Sequence, residues 1–171
     1  MTQNKTFKVL FISLLTVTLI TSTYFFFSSK PAVPELTFKT ITNKDINLQQ
    51  LQGRPVLVTF WASNCPSCLK EIPHFKSLYQ DYHQRGLEII AIAMHYDRPN
   101  YVVQASKTHK IPYDIVLDLR KKYALAFGDV SLTPTTILIN PQGEIEQQIT
   151  GTFDLADIQA RIESLLTPQG T

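Results

Sequence analysis

The sequence predicts an α/β fold in which one mixed central sheet is flanked by helices, with an N-terminal hairpin and, near residues 100–117, a helix–strand unit. Two observations lead to this expectation. Short apolar runs alternate with helix-like segments between residues 56 and 128, which favours parallel pairing of the strands. Two strand-like runs near the C-terminus surround a turn, which adds antiparallel strands. The predicted order is therefore ββ, then βα three times, then ββα.

The first predicted elements are a hairpin and a buried strand. Leu36–Phe38 and Ile46–Leu48 are expected to pair around the turn Thr42-Asn43-Lys44. A second turn, Gly53-Arg54-Pro55, leads into the apolar run Val56–Phe60. This run has the length and β-branched composition of a strand in the sheet.

The middle of the chain predicts a long helix, a central strand and a second helix. The long helix runs from Pro66 to about Arg85 and ends at Gly86, because glycine readily adopts the left-handed conformation of a helix C-terminus. Glu88–Met94 is apolar almost throughout, which is typical of a strand covered on both faces. The second helix is predicted over Asn100–Lys110.

The last third predicts a strand, a short helix and a terminal hairpin with a helix. Tyr113–Leu117 is the strand, and Asp118 is expected to cap a helix that continues through Ala126. The remaining elements are a hairpin and a helix capped by Asp154, namely Thr135–Asn140, Glu144–Thr150 and Leu155–Leu166.

The chain has two cysteines, and both lie in the tetrad Cys65-Pro66-Ser67-Cys68 between a predicted strand and helix. The start of a helix exposes unpaired N–H groups and the positive end of the helix dipole, which stabilise a thiolate. Cys65 is therefore expected to have a pKa below the usual value of a cysteine. Cys68 lies one helical turn further on and can close a disulfide with Cys65. This arrangement predicts a redox-active dithiol.

Three other uses of the cysteine pair fit the sequence less well. A purely structural disulfide would close a very short loop and stabilise little. A zinc site would need two more ligands at motif spacing, and the chain has no second cysteine pair. A c-type haem site would need histidine at position 69, which is Leu69. We therefore predict no metal site and no cofactor.

The N-terminal 30 residues predict a membrane anchor. Lys5 and Lys8 precede an uncharged, largely apolar run from Val9 to Phe27, which at 1.5 Å per residue is about long enough for a hydrocarbon core of ~30 Å. We expect residues 9–29 to contact the bilayer; a cleaved signal peptide is the alternative. The basic flank favours an internal N-terminus. In a bacterium this predicts a single-pass protein of the inner membrane with its folded domain in the periplasm or on the outer face.

The rest of the chain predicts a linker at residues 31–35 and one domain at residues 36–171. Beyond Lys30 there are 13 basic residues against 14 acidic ones, so the domain is close to neutral. A nucleic-acid-binding domain usually carries a basic patch and a recognisable motif. Neither is visible, and we expect no nucleic-acid partner.

Three motifs make the chain similar to a known superfamily: Trp61 to Cys68 (WASNCPSC), Pro73, and Thr133-Pro134-Thr135-Thr136. Together they resemble the thioredoxin superfamily, and within it the TlpA/ResA-type membrane-anchored thiol–disulfide oxidoreductases, over roughly residues 35–166. The helix–strand unit near residues 100–117 supports that branch. Asn64 and the Pro-Ser pair between the cysteines depart from the commoner residues of the superfamily. The resemblance implies a thioredoxin-like fold.

The resemblance also implies roles for residues around the dithiol. Pro134 is expected to be cis and to face the cysteines, which leaves the backbone of Thr133 free to pair with an extended substrate. Trp61 is expected to pack beside the dithiol and help bind substrate. Glu71 lies on the helix face of the cysteines and is expected to relay a proton for the inner thiol; a solvated helix glutamate is the alternative. The segment His95-Tyr96-Asp97 either borders the site or is an ordinary loop.

The predicted function is that of an extracytoplasmic protein-disulfide oxidoreductase. Cys65 would be the nucleophile and Cys68 the resolving thiol. The resemblance implies the reducing direction, re-reduction by a membrane electron donor of the DsbD or CcdA type, and a link to cytochrome c biogenesis. Two alternatives are a thiolate copper chaperone and a thiol peroxidase. In such peroxidases threonine stands three residues before the cysteine, where this chain has Ala62.

Overall fold

The computed structural model describes residues 32–167 together with residues 11, 14–19 and 21–22. The chain divides into two compact units, Met1–Pro31 and Ala32–Thr171. The described residues of the first unit are helical, and the Thr18 and Thr21 hydroxyls donate hydrogen bonds to backbone carbonyls four residues earlier. No helix within the described residues is long and apolar enough to cross a membrane. Most of the predicted anchor, residues 9–29, lies outside the described residues.

The second unit is built on a five-stranded mixed sheet, as predicted. A separate two-stranded hairpin precedes it, and its strands pair antiparallel with Phe38 opposite Ile46. In chain order the strands are β1 (Thr37–Lys39), β2 (Asp45–Asn47), β3 (Val56–Trp61), β4 (Glu88–Ala93), β5 (Asp114–Leu117), β6 (Thr135–Ile139) and β7 (Ile145–Thr150).

The sheet has the order β5-β4-β3-β6-β7. Strands β3, β4 and β5 are parallel, whereas β6 is antiparallel to both β3 and β7. Every residue of β3 is buried, because this strand lies at the centre of the sheet. The helices are α1 (Pro66–Tyr82), α2 (Pro99–His109), α3 (Lys122–Ala126) and α4 (Leu155–Leu166).

Alternate residues of the central strands point into two separate apolar cores. Leu57 belongs to the core that also contains Phe75 of α1 and Ile158 of α4. Val58, one residue later, belongs to the core beneath the hairpin, with Phe38 and Ala124. Burial on both faces explains why the strands are nearly continuous apolar runs.

Two helix boundaries are set by turns and capping groups. Helix α1 is followed by a 3₁₀ turn that ends at Gly86, whose φ of 115° is easily adopted by glycine. The prediction that α3 follows Asp118 directly is wrong, because a turn containing Lys121 at φ 57° intervenes and the helix begins at Lys122. The Asp118 carboxylate still accepts hydrogen bonds from N–H groups of the first helical turn, including that of Ala124 at 2.8 Å.

One edge of the sheet brings together distant parts of the chain. The parallel strands β3, β4 and β5 end there, the antiparallel β6 begins there, and β7 ends there. In open α/β sheets, ligands bind outside the carboxyl ends of the parallel strands. We call this the carboxyl edge, and it carries Cys65, the loop after β4, the Thr133-Pro134 peptide and the segment before α4.

Candidate active site

Cys65 occupies the N-cap position of helix α1. Its backbone is extended, with φ −94° and ψ 107°, and its Sγ accepts a hydrogen bond of 3.2 Å from the N–H of Cys68. Pro66 follows at the first helical position, where its fixed φ is compatible with a helix and its missing N–H costs no intrahelical bond. The sequence thus places a sulfur atom where a helix exposes its unpaired donors.

The two cysteines form a disulfide and differ in access to solvent. Their Cα atoms are 5.3 Å apart. Cys65 is 9% exposed and Cys68 is 4% exposed, so the N-cap cysteine is the outer member of the pair. Both belong to the apolar core under α1, together with Trp61 and Ala62. The roles of nucleophile for Cys65 and resolving thiol for Cys68 stay predictions.

The Thr133-Pro134 peptide bond is cis, which confirms the prediction. The carbonyl oxygen of Thr133 lies 3.7 Å from Cys65 Sγ. Pro134 is buried, and its carbonyl accepts a hydrogen bond of 2.8 Å from the N–H of Gly151 at the end of β7. The cis-proline loop, residues 131–134, therefore faces the outer cysteine and is tied to the neighbouring strand.

Glu71 is buried beneath the dithiol, so the alternative of a solvated glutamate is wrong. Its side chain is 2% exposed, and Oε1 accepts a hydrogen bond of 2.9 Å from the N–H of Phe153. Oε2 is buried and has no hydrogen-bond partner. Burial raises the pKa of this carboxyl because the charged form loses hydration, and the Phe153 hydrogen bond opposes that shift.

A small cavity of about 10 Å³ lies beside Cys68 and Glu71. A volume of ~10–15 Å³ on this measure is about what one water molecule needs. Trp61 lines it with only 4% of its surface exposed, and its Nε1 is buried without a hydrogen-bond partner. Tyr113 also lines it; burial, and secondarily the negative charge of Glu71, raise the pKa of its hydroxyl. The cavity joins the inner thiol to the buried carboxyl.

Sequence reasoning left the role of the loop after β4 open, and the structure places this loop at the site. Asp97 accepts two hydrogen bonds from Ser63, one from its N–H and one of 2.7 Å from its hydroxyl. The hydroxyl groups of Tyr96 and Thr133 lie 3.4 Å apart. The loop therefore contacts both segments that meet at Cys65. The signal in the sequence was the position of these polar residues directly after a predicted buried strand.

Within the described residues, no group of three or more His, Cys, Asp or Glu side chains is arranged to hold a metal ion. The groups that the site does offer are two thiols, a buried carboxyl and backbone hydrogen-bonding atoms. Such a set can exchange thiols with disulfides and move protons.

Comparison with known proteins agrees with this chemistry. Residues 30–148 match the model of the AhpC/TSA family. The chain belongs to the AhpC/TSA family. It is 30% identical over 146 residues to the thiol-disulfide oxidoreductase ResA of Geobacillus thermodenitrificans, an alignment covering 82% of this chain and 83% of ResA. It is 31% identical over 125 residues to sporulation thiol-disulfide oxidoreductase A of Bacillus subtilis, covering 71% and 74% of the two chains.

This AhpC/TSA-family protein also shares its fold with solved structures. The crystal structure of StoA from Bacillus subtilis superposes with a TM-score of 0.66 at 28% identity, covering 76% of this chain and 98% of StoA. The predicted resemblance to ResA-type proteins and the thioredoxin-like fold are confirmed. The protein is a thiol–disulfide oxidoreductase that acts on protein thiols.

Proposed function

We propose that this family member reduces protein disulfides outside the cytoplasm, while residues 9–29 tether it to the bacterial inner membrane. The observation that carries the proposal is the asymmetry of the dithiol. Cys65 is the outer cysteine and faces the cis-proline loop, whereas Cys68 is the inner one and faces the cavity that holds Glu71. This asymmetry favours one attacking thiol and one resolving thiol.

The first half of the reaction forms a bond between Cys65 and the client protein. The Cys65 thiolate attacks one sulfur of a client disulfide; the client S–S bond breaks and its other sulfur leaves as a thiolate that takes a proton. The result is a mixed disulfide. An extended client segment would pair with the backbone of Thr133, whose carbonyl lies close to Cys65 Sγ. Pro134 would shape that loop, and Trp61 would pack beside the dithiol in the apolar core.

The second half releases the reduced client. Glu71, ionised, takes the proton of the Cys68 thiol, and the Cys68 thiolate attacks Cys65 Sγ. The mixed disulfide breaks, and the client sulfur leaves and is protonated. Two electrons have passed from the enzyme dithiol to the client, and the enzyme holds the Cys65–Cys68 disulfide. Burial suits Glu71 to this role, because it raises the carboxyl pKa toward the working pH.

The oxidised enzyme must then be reduced again. We propose a membrane electron donor of the DsbD or CcdA type as the source of electrons. Clients in cytochrome c biogenesis would need such a reductant, because their cysteines must be reduced before haem is attached. Residues 9–29 would keep the enzyme near the membrane donor.

The reduction potential of the purified full-length protein tests the direction of electron flow. A value near or below about −250 mV is expected for a reductase, since thioredoxin lies near −270 mV; a value near −120 mV, typical of an oxidase, would contradict the proposal. In cells, Cys68→Ser is expected to trap mixed disulfides through Cys65, with Cys65→Ser as the matched control. Retention in the membrane after a carbonate wash, with residues 32–171 open to external protease, tests the location.

A further inference from the structure

The sulfur of Cys65 has a second hydrogen-bonding neighbour besides the N–H of Cys68. The hydroxyl oxygen of Ser67 lies 3.3 Å from Cys65 Sγ. In the disulfide neither sulfur carries a proton, so Ser67 is the donor and the sulfur accepts. Ser67 is half-buried, which limits competition from water.

We propose that the Ser67 hydroxyl is a positioning donor that stabilises reduced Cys65 and shifts the dithiol–disulfide equilibrium toward the dithiol. A disulfide sulfur is a weak acceptor, whereas a thiolate carries a full negative charge and accepts a charge-assisted hydrogen bond. The bond therefore strengthens when the disulfide takes up two electrons from a dithiol donor. The Ser67 proton stays on its oxygen throughout. This inference rests on the role of Cys65 in the proposed function.

The surroundings of Cys65 make such a neutral donor important. The titratable groups of the segments around the dithiol are Glu71 and the exposed Lys70 on α1, Tyr113 beside the cavity, and His95, Tyr96 and Asp97 in the loop after β4; the cis-proline loop has none. Among the described residues, no hydrogen bond or ion pair joins a lysine or arginine to either cysteine. The two carboxyl groups oppose a nearby thiolate when they are ionised.

The backbone at this helix start also has one donor fewer than usual. Residue 66 is proline and lacks an N–H, so it cannot contribute to stabilising the charge on Cys65. Among the residues that the structure describes, the donors within hydrogen-bond distance of the sulfur are the N–H of Cys68 and the hydroxyl of Ser67. Removing the hydroxyl should therefore leave a measurable deficit.

The test compares full-length wild type, Ser67→Ala and Ser67→Thr in glutathione redox buffers. A hydrogen bond to a charged sulfur is stronger than one to a neutral sulfur, and partial exposure of Ser67 to water weakens it. Ser67→Ala is expected to shift the equilibrium about three- to tenfold toward the disulfide, where tenfold corresponds to about 30 mV. The pH dependence of Cys65 alkylation should move to higher pH. Ser67→Thr retains a hydroxyl and should restore both properties.

Ser77→Ala is the matched control, because Ser77 lies on the same helix and its hydroxyl donates to Asp81 instead. It should behave as wild type. The proposal is overturned if Ser67→Ala matches wild type in both measurements, or if Ser67→Thr behaves as Ser67→Ala. Either result, with Cys65 still the thiol that alkylates at lower pH, leaves the proposed function intact. Faster alkylation of Cys68 would instead overturn the assignment of roles and this inference with it.

Discussion

Polar side chains differ in burial and in pairing between the two edges of the central sheet. At the carboxyl edge, Glu71 is buried with one oxygen unpaired. At the opposite edge, where the strands begin, charged side chains form ion pairs, Lys44 with Asp114 at 2.9 Å and Arg54 with Glu88 at 2.8 Å. These pairs border an open groove of about 300 Å³.

The buried carboxyl at one edge and the ion pairs at the other indicate different roles for their charged residues. A buried, unpaired polar group costs stability, so its presence beside a dithiol indicates a group kept for its reactivity. Exposed ion pairs are well hydrated and contribute little. Substitution of a carboxyl side chain is thus expected to have large effects at the carboxyl edge and small effects at the opposite edge.

The largest effect is expected for Cys65→Ser at the carboxyl edge. A serine hydroxyl is a far weaker nucleophile than a thiolate, so disulfide exchange should fall by at least about a thousandfold. Reduction of a protein disulfide by the variant measures this. In the wild type, Cys65 should alkylate at mildly acidic pH before Cys68; the reverse order would show that the two roles are exchanged.

Glu71→Gln should change how both rate and stability depend on pH. Because the folded protein holds the Glu71 proton more tightly than the unfolded chain, wild-type stability should fall as pH rises from about 4.5 through the raised pKa. A tenfold difference in proton affinity between the folded and unfolded states corresponds to about 1.4 kcal/mol of free energy. Glutamine does not titrate, so the stability difference between variant and wild type should grow in the variant's favour over that window.

Denaturant unfolding of the oxidised proteins at several pH values measures this difference, and pH–rate profiles of disulfide exchange measure the proton relay. The pH–rate profile of the variant should lack the change in rate that accompanies ionisation of Glu71. Superimposable pH–rate profiles would leave Glu71 without a catalytic part. Glu88→Gln, at the opposite edge, is the matched control and should leave the profile unchanged.

Asp97→Ala should have an intermediate effect. It removes the acceptor of two hydrogen bonds from Ser63, which should cost roughly 1–3 kcal/mol of stability. The segment that leads into Cys65 would loosen, and exchange with a protein disulfide should slow by about three- to tenfold. Thermal unfolding and exchange rates check the prediction. Asp114→Ala, which breaks an ion pair at the other edge, should keep the wild-type rate; equal slowing in both variants would contradict the comparison.

The smallest effect is expected for Arg54→Gln. Its ion pair with Glu88 is half exposed, so the change in the free energy of unfolding should be below about 1 kcal/mol. Disulfide exchange should be unchanged. Urea unfolding should be measured with and without 0.5 M salt, at which the Debye length is roughly 4 Å. Salt should remove even this small difference in the free energy of unfolding between variant and wild type. A loss of several kcal/mol would show that the two edges are more alike than their exposure indicates.

Local signals made most elements predictable. Helix α4 has the bounds predicted from the Asp154 cap, whose side chain accepts from the N–H of Asp157. The predicted start of α3 was wrong. The Asp118 carboxylate accepts a hydrogen bond from the helix across a turn, and the sequence does not reveal that Lys121 in this turn has a left-handed conformation. Capping residues thus predict that a helix is near, and the backbone between cap and helix decides where it begins.

Local sequence patterns predicted the site where neighbours in sequence meet, whereas the contact of the distant Thr133-Pro134 peptide with Cys65 was predicted from the family resemblance. The dithiol geometry follows from four consecutive residues and a strand–helix junction. Other contacts were not predicted: Glu71 accepts a hydrogen bond from Phe153, which lies 82 residues away, and Ser63 donates to Asp97, 34 residues away. These partners meet because the folded sheet brings their segments to the same edge, and no periodic pattern in the sequence indicates them.

The hydrogen bond from Phe153 to Glu71 brings the C-terminal part of the chain to the candidate active site. The match to the AhpC/TSA family ends at residue 148, before this donor. Phe153 also packs edge-on against Phe75, with ring centroids 5.2 Å apart. A chain cut after Thr150 would contain both cysteines but would lack the N–H that binds Glu71 and the Phe153 ring beside Phe75. The groups that surround the dithiol therefore extend beyond the segment matched by the family model, and a fragment designed from that segment would lack the hydrogen-bond donor of its buried carboxyl.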